Sequence, residues 1–430
     1  MTRPRLTIVG AGSAYMPGIA AAIAAHHASF AGTTVTLHDI DPDALDLQAR
    51  LTRGIVRARG GPGVTVKATT SLPAALDGAD LVLATFRPGG YAGRLNDESI
   101  PLRFDLPGSE TVGPGGFAMG LRSVPAILEV AAEMRRSAAD DALILDYTNP
   151  VQIVTGAVVR AGGVGILGLC DQHRGEAGFL GRLLGVDGSR LELDIAGVNH
   201  CTWTRGVRLD GADVTEEAFA VLRRTDPATI DPYWAPVVRL FPRFGAIPSA
   251  YLRAYLLRDE MVAEQRAAGR TRAEEIMADL PDIVAGYREA ADREDPRPLR
   301  TRGGADHGDF AISIAAAIRE GRPTRAVLDV PNAGGALPGL ATDAIVELPC
   351  RLVGRTVTPI PVPPFGPEVM AILESVARYG SLAVEAALTG DRATAIAALL
   401  AHPLAPAHHR AEELLDANLE ANRTVAATSA

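Results

Sequence analysis

Lysine is almost missing from this chain. Lys67 is the single lysine in 430 residues, and all other basic side chains are arginines. A P-loop lysine and a paired catalytic lysine are thereby excluded, and Schiff-base chemistry would rest on Lys67 alone. Cysteine is scarce as well. Cys170, Cys201 and Cys350 are an odd number without framework spacing, which excludes a disulfide scaffold and fits a reducing cytoplasm. Excess positive charge is lacking: the net charge is −9 with no basic stripe, which argues against nucleic acid as a partner. No apolar run is long enough to span a bilayer. The glycine turn follows Met1–Arg5 so closely that no signal-peptide apolar region fits, so no membrane partner is expected.

What is present is a large apolar content, 47%, in a chain long enough for two domains or for one with a second lobe. Residues 6–9 read as a buried strand, Ala11–Ala25 as a helix entered through glycines, and Val35–Asp39 as a second strand. Leu45–Arg59 reads as helix, Asp80–Thr85 as strand, Ser123–Ser137 as helix, and Ala142–Asp146 and Gly165–Leu169 as further strands. Strands alternating with helices predict a doubly wound parallel sheet of Rossmann type over residues 1–195. After about residue 195 the character changes. Short strand-like pieces, Leu191–Ala196 and Thr202–Leu209, precede long charged helices such as Asp259–Arg293, and Pro361–Pro367 breaks the chain before a helical tail. Residues 196–430 are therefore expected to form a C-terminal α+β substrate and catalytic domain.

The turn Gly10-x-Gly12-x-x-Tyr15 lacks the usual third glycine, but its first two glycines permit the tight turn and the approach of a pyrophosphate to a helix N-terminus. Ser13 lies in the same turn. Asp39, ending the next strand, is placed to accept from a ribose 2′-hydroxyl and to repel a 2′-phosphate, which favours NAD over NADP. In such sheets ligands bind outside the carboxyl ends of the strands. Arg87, Asn149, Cys170 and Asp171 all follow strand ends, so they should face one crevice.

Cys170 and His200 form a thiol–imidazole pair suited to a divalent metal, although two ligands do not make a cage. The remaining positions would fall to substrate oxygens and water, as suits a Lewis acid acting on a chelated hydroxyl. Plainer readings stand beside this one: a packed cysteine, a core histidine, and Asp171 as a helix N-cap.

Several segments together are similar to glycoside hydrolase family 4, the NAD- and metal-dependent glycosidases related to lactate and malate dehydrogenases. They are Gly10–Pro17 (GAGSAYMP), Asp97–Pro101 (DESIP), Glu110–Gly116 (ETVGPGG), Tyr147–Pro150 (YTNP), Gly168–Asp171 (GLCD), Gly197–His200 (GVNH), Pro248–Tyr255 (PSAYLRAY), Arg302–Gly304 (RGG) and Ala386–Asp391 (AALTGD). They run in family order along nearly the whole chain, and the missing third glycine is a family trait. The resemblance implies hydrolysis of a glycoside through oxidation at C3 by NAD, removal of the C2 proton, elimination, addition of water and re-reduction, an exception to the two-carboxylate scheme. It implies manganese or another divalent metal on Cys170 and His200, Tyr251 as the base with Tyr255 as an alternative, and Asp171 as the acid. Aspartate after this cysteine resembles the 6-phospho-α-glucosidase pattern. The resemblance also implies that Asn149 and Glu110 contact the substrate, with Arg302 among the site residues, and that Ser13 and Arg94 hold a sugar 6-phosphate. A C6 carboxylate would suit such an arginine as well. A homodimer or homotetramer is implied too.

Departures from the family fall at Gln172-His173, where the 6-phospho-α-glucosidases have methionine-proline, and at Asp306-His307, where two aromatics are usual. They leave the natural substrate open more than the reaction type. Two other readings compete: an NAD-dependent sugar or hydroxy-acid dehydrogenase with net NADH release, and a nucleotide-binding regulator with a decayed site. The joint presence of Cys170, Asp171, His200 and Tyr251 speaks against the second.

Overall fold

A computed structural model describes residues 5–59, 63–293, 296, 302 and 308–429. Asp306 and His307 lie outside the described residues. The described residues build one mixed sheet of 13 strands: β1 (Arg5–Val9), β2 (Thr34–His38), β3 (Thr65–Thr69), β4 (Leu81–Ala84), β5 (Leu143–Asp146), β6 (Gly165–Gly168), β7 (Leu191–Val198), β8 (Cys201–Leu209), β9 (Ala212–Asp213), β10 (Ile247–Pro248), β11 (Thr324–Pro331), β12 (Ile345–Val353) and β13 (Thr356–Pro359).

The first six strands are parallel in the order β3-β2-β1-β4-β5-β6, the doubly wound arrangement expected. Their side chains alternate between two cores. Leu6, Ile8, Leu81, Leu83, Leu143 and Leu145 face one, which the helices Met16–Ala25 and Asp309–Glu320 cover. Val9, Val82, Ala84, Ile144 and Ile166 face the other, under the helices Gly113–Ser137 and Val151–Ala161. Burial on both faces explains why these strands read as unbroken apolar runs.

Beyond β6 the sheet continues antiparallel through β11, β12, β7, β8 and β10. Single pairs make the two joins that matter here: Asp329 opposite Gly168, and Glu347 opposite Gly197. Strands β11 to β13 thus lie in a region that the sequence reading left without strands. The valines, isoleucine and threonines of these strands suit the pairing offered by an existing sheet edge.

Helix boundaries differ in instructive places. The first helix starts at Met16 rather than Ala11, because residues 10–15 are spent on turns. The helix expected from Ser123 begins at Gly113, with Pro114 in its first turn, where a missing N–H costs nothing. The charged stretch 259–293 is two helices, Arg258–Ala267 and Arg272–Ala291. The second opens on a capping box between Thr271 and Glu274. No described helix is long and apolar enough to cross a membrane.

Candidate active site

One cleft of about 1910 Å3 runs along the carboxyl ends of the parallel strands. Gly10, Gly12, Ser13, Asp39, Arg87, Glu110, Asn149, Cys170, Asp171, His200 and Tyr251 all line it. Side chains far apart in sequence meet there because each follows a strand end, except Glu110, which comes from the loop between two helices.

At one end lies the glycine turn. Gly10 has φ +92°, and a Cβ on it would sit 2.6 Å from the Thr85 carbonyl oxygen, so only glycine fits. Gly12 donates its backbone N–H to Asp39 Oδ2 at 2.7 Å, while Asp41 donates to Asp39 Oδ1 at 3.0 Å. The Asp39 carboxylate therefore clasps the turn as well as facing the cleft. The third-glycine position is Tyr15, whose ring lines the cleft with the Arg302 guanidinium 5.4 Å from its centroid.

Further along, Cys170 Sγ lies 3.6 Å from His200 Nε2. Two donors at that separation can both reach one ion at ordinary bond lengths of about 2.0–2.3 Å. Burial draws His200 down to about 4, so at neutral pH the ring is uncharged and has a lone pair to give. Burial, then Glu347, Asp171 and Asp329, push the Cys170 thiol well above its usual range, so only a cation would make it a thiolate. Among the described residues no three His, Cys, Asp or Glu form a metal cage. The pair fits an ion only if other oxygens complete its shell.

The local fold explains His200. It ends the two-residue turn Asn199-His200 between β7 and β8, with φ +60°, where glycine is usual. The turn is clamped from behind. Asn199 Nδ2 donates to Glu347 Oε2 at 3.0 Å and to Asp329 Oδ2 at 3.4 Å, and the His200 backbone N–H also donates to Glu347. Burial holds both carboxyls above the usual range. Neither acid carries a signal in the sequence, because each sits inside a strand whose place beside Asn199 is set by sheet pairing.

Asp171 occupies the N-cap position of the helix Gln172–Leu184, yet its carboxylate makes no cap bond to that helix. It accepts instead from the Tyr147 hydroxyl, and both residues line the cleft. The helix-cap reading of Asp171 fails on this geometry. Tyr251 and Tyr255 are separated clearly. Tyr251 caps the short helix Leu252–Leu256, lines the cleft, and stacks on His200 with ring centroids 3.9 Å apart. Tyr255 faces away and stacks on His402 at 5.4 Å. The two tyrosines, four residues apart, do not share a helix face, because Tyr251 lies outside the helix proper. Burial, with Tyr233, Cys170, Glu110 and Asp171 around it, holds the Tyr251 phenol well above its ordinary value.

Asn149 Oδ1 is buried in the cleft wall without a hydrogen-bond partner, an acceptor waiting for a ligand donor. Glu110 pairs with Arg87 and, at 2.8 Å, with Arg94 Nη1. Arg94 does not itself line the cleft. It is buried one layer back, held also by Glu98 Oε1 at 2.7 Å, whereas Arg87 stands in the wall. Among the described residues, Arg302 approaches the cleft through Tyr15. The motif at Asp97 serves structure, since Arg122 grips its carboxylate with both nitrogens, at 2.6 and 3.0 Å. Gln172 lines the cleft, but His173 turns inward against Phe310, with centroids 4.9 Å apart. Arg87 lines the cleft, as its place past a strand end predicts, whereas Tyr15, Tyr147 and Tyr233 are cleft residues that sequence reasoning passed over. Of these, Tyr147 carried a usable signal, since it stands just past a strand end.

The fold is that of the dinucleotide-binding dehydrogenases. A solved lactate dehydrogenase of Trichomonas vaginalis, in complex with NADH and oxamate, superposes with a TM-score of 0.55 at 13% identity, over 90% of this chain and 100% of that one. That likeness is one of fold alone. The chain belongs to glycosyl hydrolase family 4: residues 5–186 match the family 4 glycosyl hydrolase profile and residues 195–405 match its C-terminal domain. Among its relatives is the 6-phospho-beta-glucosidase BglT of Thermotoga maritima, 29% identical over 97% of this chain and 98% of that protein. Another is the 6-phospho-alpha-glucosidase 1 of Lacticaseibacillus paracasei, 30% identical over 80% of each. A solved 6-phospho-beta glucosidase of Thermotoga maritima, with manganese, NAD+ and glucose-6-phosphate, superposes with a TM-score of 0.87 at 26% identity, over 98% of this chain and 99% of that one. Relatives thus include both α- and β-glucosidases.

Proposed function

We propose that this protein is an NAD- and divalent-metal-dependent glycosidase that cleaves an α-glycoside by C3 oxidation, C2 deprotonation, elimination, water addition and re-reduction. The observation that carries this reading is the convergence of Asp171, Cys170, His200 and Tyr251 on the cleft that starts at the glycine turn. Relatives that are 6-phospho-glucosidases, and a related structure holding manganese, NAD+ and glucose-6-phosphate, support it.

On this reading Gly10, Gly12, Ser13 and Asp39 hold NAD, and Cys170 and His200 hold manganese or another divalent ion. When bound, these groups supply reversible oxidation at C3 and the charge that makes the C2 proton acidic. Tyr251 takes that proton. Its phenol ionises only beside a positive charge, and its ring lies against His200, where that charge would be. Asp171 gives a proton to the leaving oxygen, and the Tyr147 hydroxyl orients it. Asn149 and Glu110 contact sugar hydroxyls. Arg94 acts through Glu110, and Arg302 acts through Tyr15. Aspartate after Cys170 favours the α-anomer. The C6 substituent, phosphate or carboxylate, is left to experiment. Residues 1–195 hold the nucleotide and also bring Glu110, Asn149 and Asp171 to the substrate, which residues 196–430 complete, in a cytoplasmic homo-oligomer.

The test is a screen of methyl, phenyl and glucosyl α- and β-D-glucosides, as 6-phosphates and as the corresponding glucuronides, with NAD and manganese. Hydrolysis should need both additions. In deuterated water the product should carry deuterium at C2. Hydrolysis that survives complete removal of NAD sinks the proposal. Stoichiometric accumulation of NADH would point instead to a dehydrogenase.

A further inference from the structure

Tyr233 is a large aromatic side chain left open inside the cleft. It is 44% exposed, and the residues supporting it are not. Its ring meets Trp234 edge-on, with centroids 4.9 Å apart at 90°. Trp234 in turn stacks flat on Phe179, 4.8 Å away at 4°. Trp234 and Phe179 are 7% and 2% exposed. The row is anchored in the core and ends in the cleft. An open aromatic backed by buried aromatics inside a cleft is a mark of ligand contact rather than of folding.

Its place in the cleft indicates which part of a ligand it would meet. A Cβ on Gly175 would be 3.7 Å from the Trp234 ring, so Trp234, the neighbour on which Tyr233 rests, packs against the first turn of the helix that begins beside Asp171. Cys170 and Asp171 both act electrostatically on the Tyr233 hydroxyl. The glycine turn and Asp39 form a different part of the same cleft. If Asp171 protonates the leaving oxygen, the leaving group extends over the surface beside Asp171, away from the nucleotide. Gln172, Arg174, Gly175, Tyr233 and Trp234 make that surface. Arg174 is engaged with Asp309 at 2.8 Å, which leaves Tyr233 as the open aromatic contact there.

We infer that Tyr233 is the platform on which a ring-shaped leaving group, a second sugar or an aryl group, stacks during cleavage. This rests on the function proposed above. Sugar rings present apolar C–H faces that pack on aromatic rings, and an aryl group stacks on one directly. The Tyr233 hydroxyl adds a polar contact at the ring's edge.

The experiment compares kcat/KM for phenyl and glucosyl glycosides with that for the methyl glycoside of the same sugar, all with NAD and manganese. Wild type, Tyr233→Ala, Tyr233→Leu and Tyr233→Phe are measured side by side. In Tyr233→Ala and Tyr233→Leu the ratio of ring to methyl substrates should fall about tenfold, through KM rather than kcat. Tyr233→Phe, which keeps the ring, should restore most of the ratio. A ratio unmoved in Ala and Leu variants that still bind NAD overturns the inference while the proposed function stands. A wild type that cleaves none of these glycosides removes the proposed function, and this inference with it.

Discussion

The two halves of the sheet carry their chemistry differently. In the parallel half, β1 to β6, the site residues other than Glu110 stand in loops just past strand ends, and each of those loops is short and marked by glycine, proline or a lone polar residue. In the antiparallel half, His200 is in a tight turn, while the carboxyls that clamp it, Asp329 and Glu347, lie within β11 and β12. The parallel half presents its residues through strand polarity alone. The antiparallel half presents its own through pairing with neighbours that are distant in sequence: Asn199 meets Glu347 across 148 positions. Function in the first half is local; in the second it is assembled.

The comparison can be tested from its strongest point downward. Tyr251→Phe should remove the base while leaving the fold and both halves of the cleft in place. A loss of kcat of about 100- to 10,000-fold is expected, with little change in NAD affinity. If Tyr255→Phe costs as much and Tyr251→Phe little, the two assignments are reversed. Cys170→Ser, at the junction of the halves, should weaken manganese binding and activity together and leave NAD binding nearly intact. Manganese titration and nucleotide fluorescence read the two separately, and unchanged manganese affinity removes the metal role.

Glu347→Gln tests the assembled half alone. It keeps the size of the clamp but alters its charge and one acceptor toward Asn199 and the His200 N–H. Manganese affinity should fall about 10- to 100-fold, as for other partners behind metal ligands. Equal affinity in variant and wild type would mean that His200 holds its strained backbone without the clamp. Asp39→Ala is the counterpart in the local half. NAD affinity should drop about tenfold and discrimination against NADP should relax. Because Asp39 also holds Gly12, weaker binding with no change in NADP preference would assign it to the turn rather than to the ribose.

The smallest effect concerns stability. Burial pushes the Asp146 carboxyl up to about 8, with Thr148 N–H and Thr155 Oγ1 donating to it at 3.0 Å each. The folded state therefore keeps a proton that the unfolded chain releases above about pH 4. This contribution is full below about pH 4 and is lost as pH rises through about 8. Asp146→Asn escapes that loss. Its Tm should pull ahead of wild type progressively from pH 4 to 8 and then run parallel, by a few degrees in all. A gap independent of pH would show that no proton is held there.

The parallel order, the glycine turn, Asp39 and the run from Cys170 to Asp171 were legible because each follows from nearest-neighbour chemistry: apolar runs, glycine where φ is positive, a polar residue at a strand end. The family likeness of the motifs extended that reading to Tyr251 and Asn149. Harder to read were the start of the helix at Gly113, the strands β11 to β13, the turning away of Tyr255 and His173, and the withdrawal of Arg94 behind Glu110. Each depends on what a side chain meets. Arg94, for example, is drawn to two carboxylates, one of them on its own helix and the other on a loop.

What the sequence determined by itself is the class of fold, the pieces of a nucleotide turn, and a thiol and an imidazole lacking partners to complete a metal shell. Tertiary structure decided that those two donors lie 3.6 Å apart on a clamped turn, that Tyr251 rather than Tyr255 stacks on the imidazole, and that Tyr233 is left open beside Asp171. The physical reason is range. Backbone preference and strand polarity act over a few residues and leave their mark in the sequence. Burial, stacking and carboxylate clamps act between segments that only the closed sheet brings together.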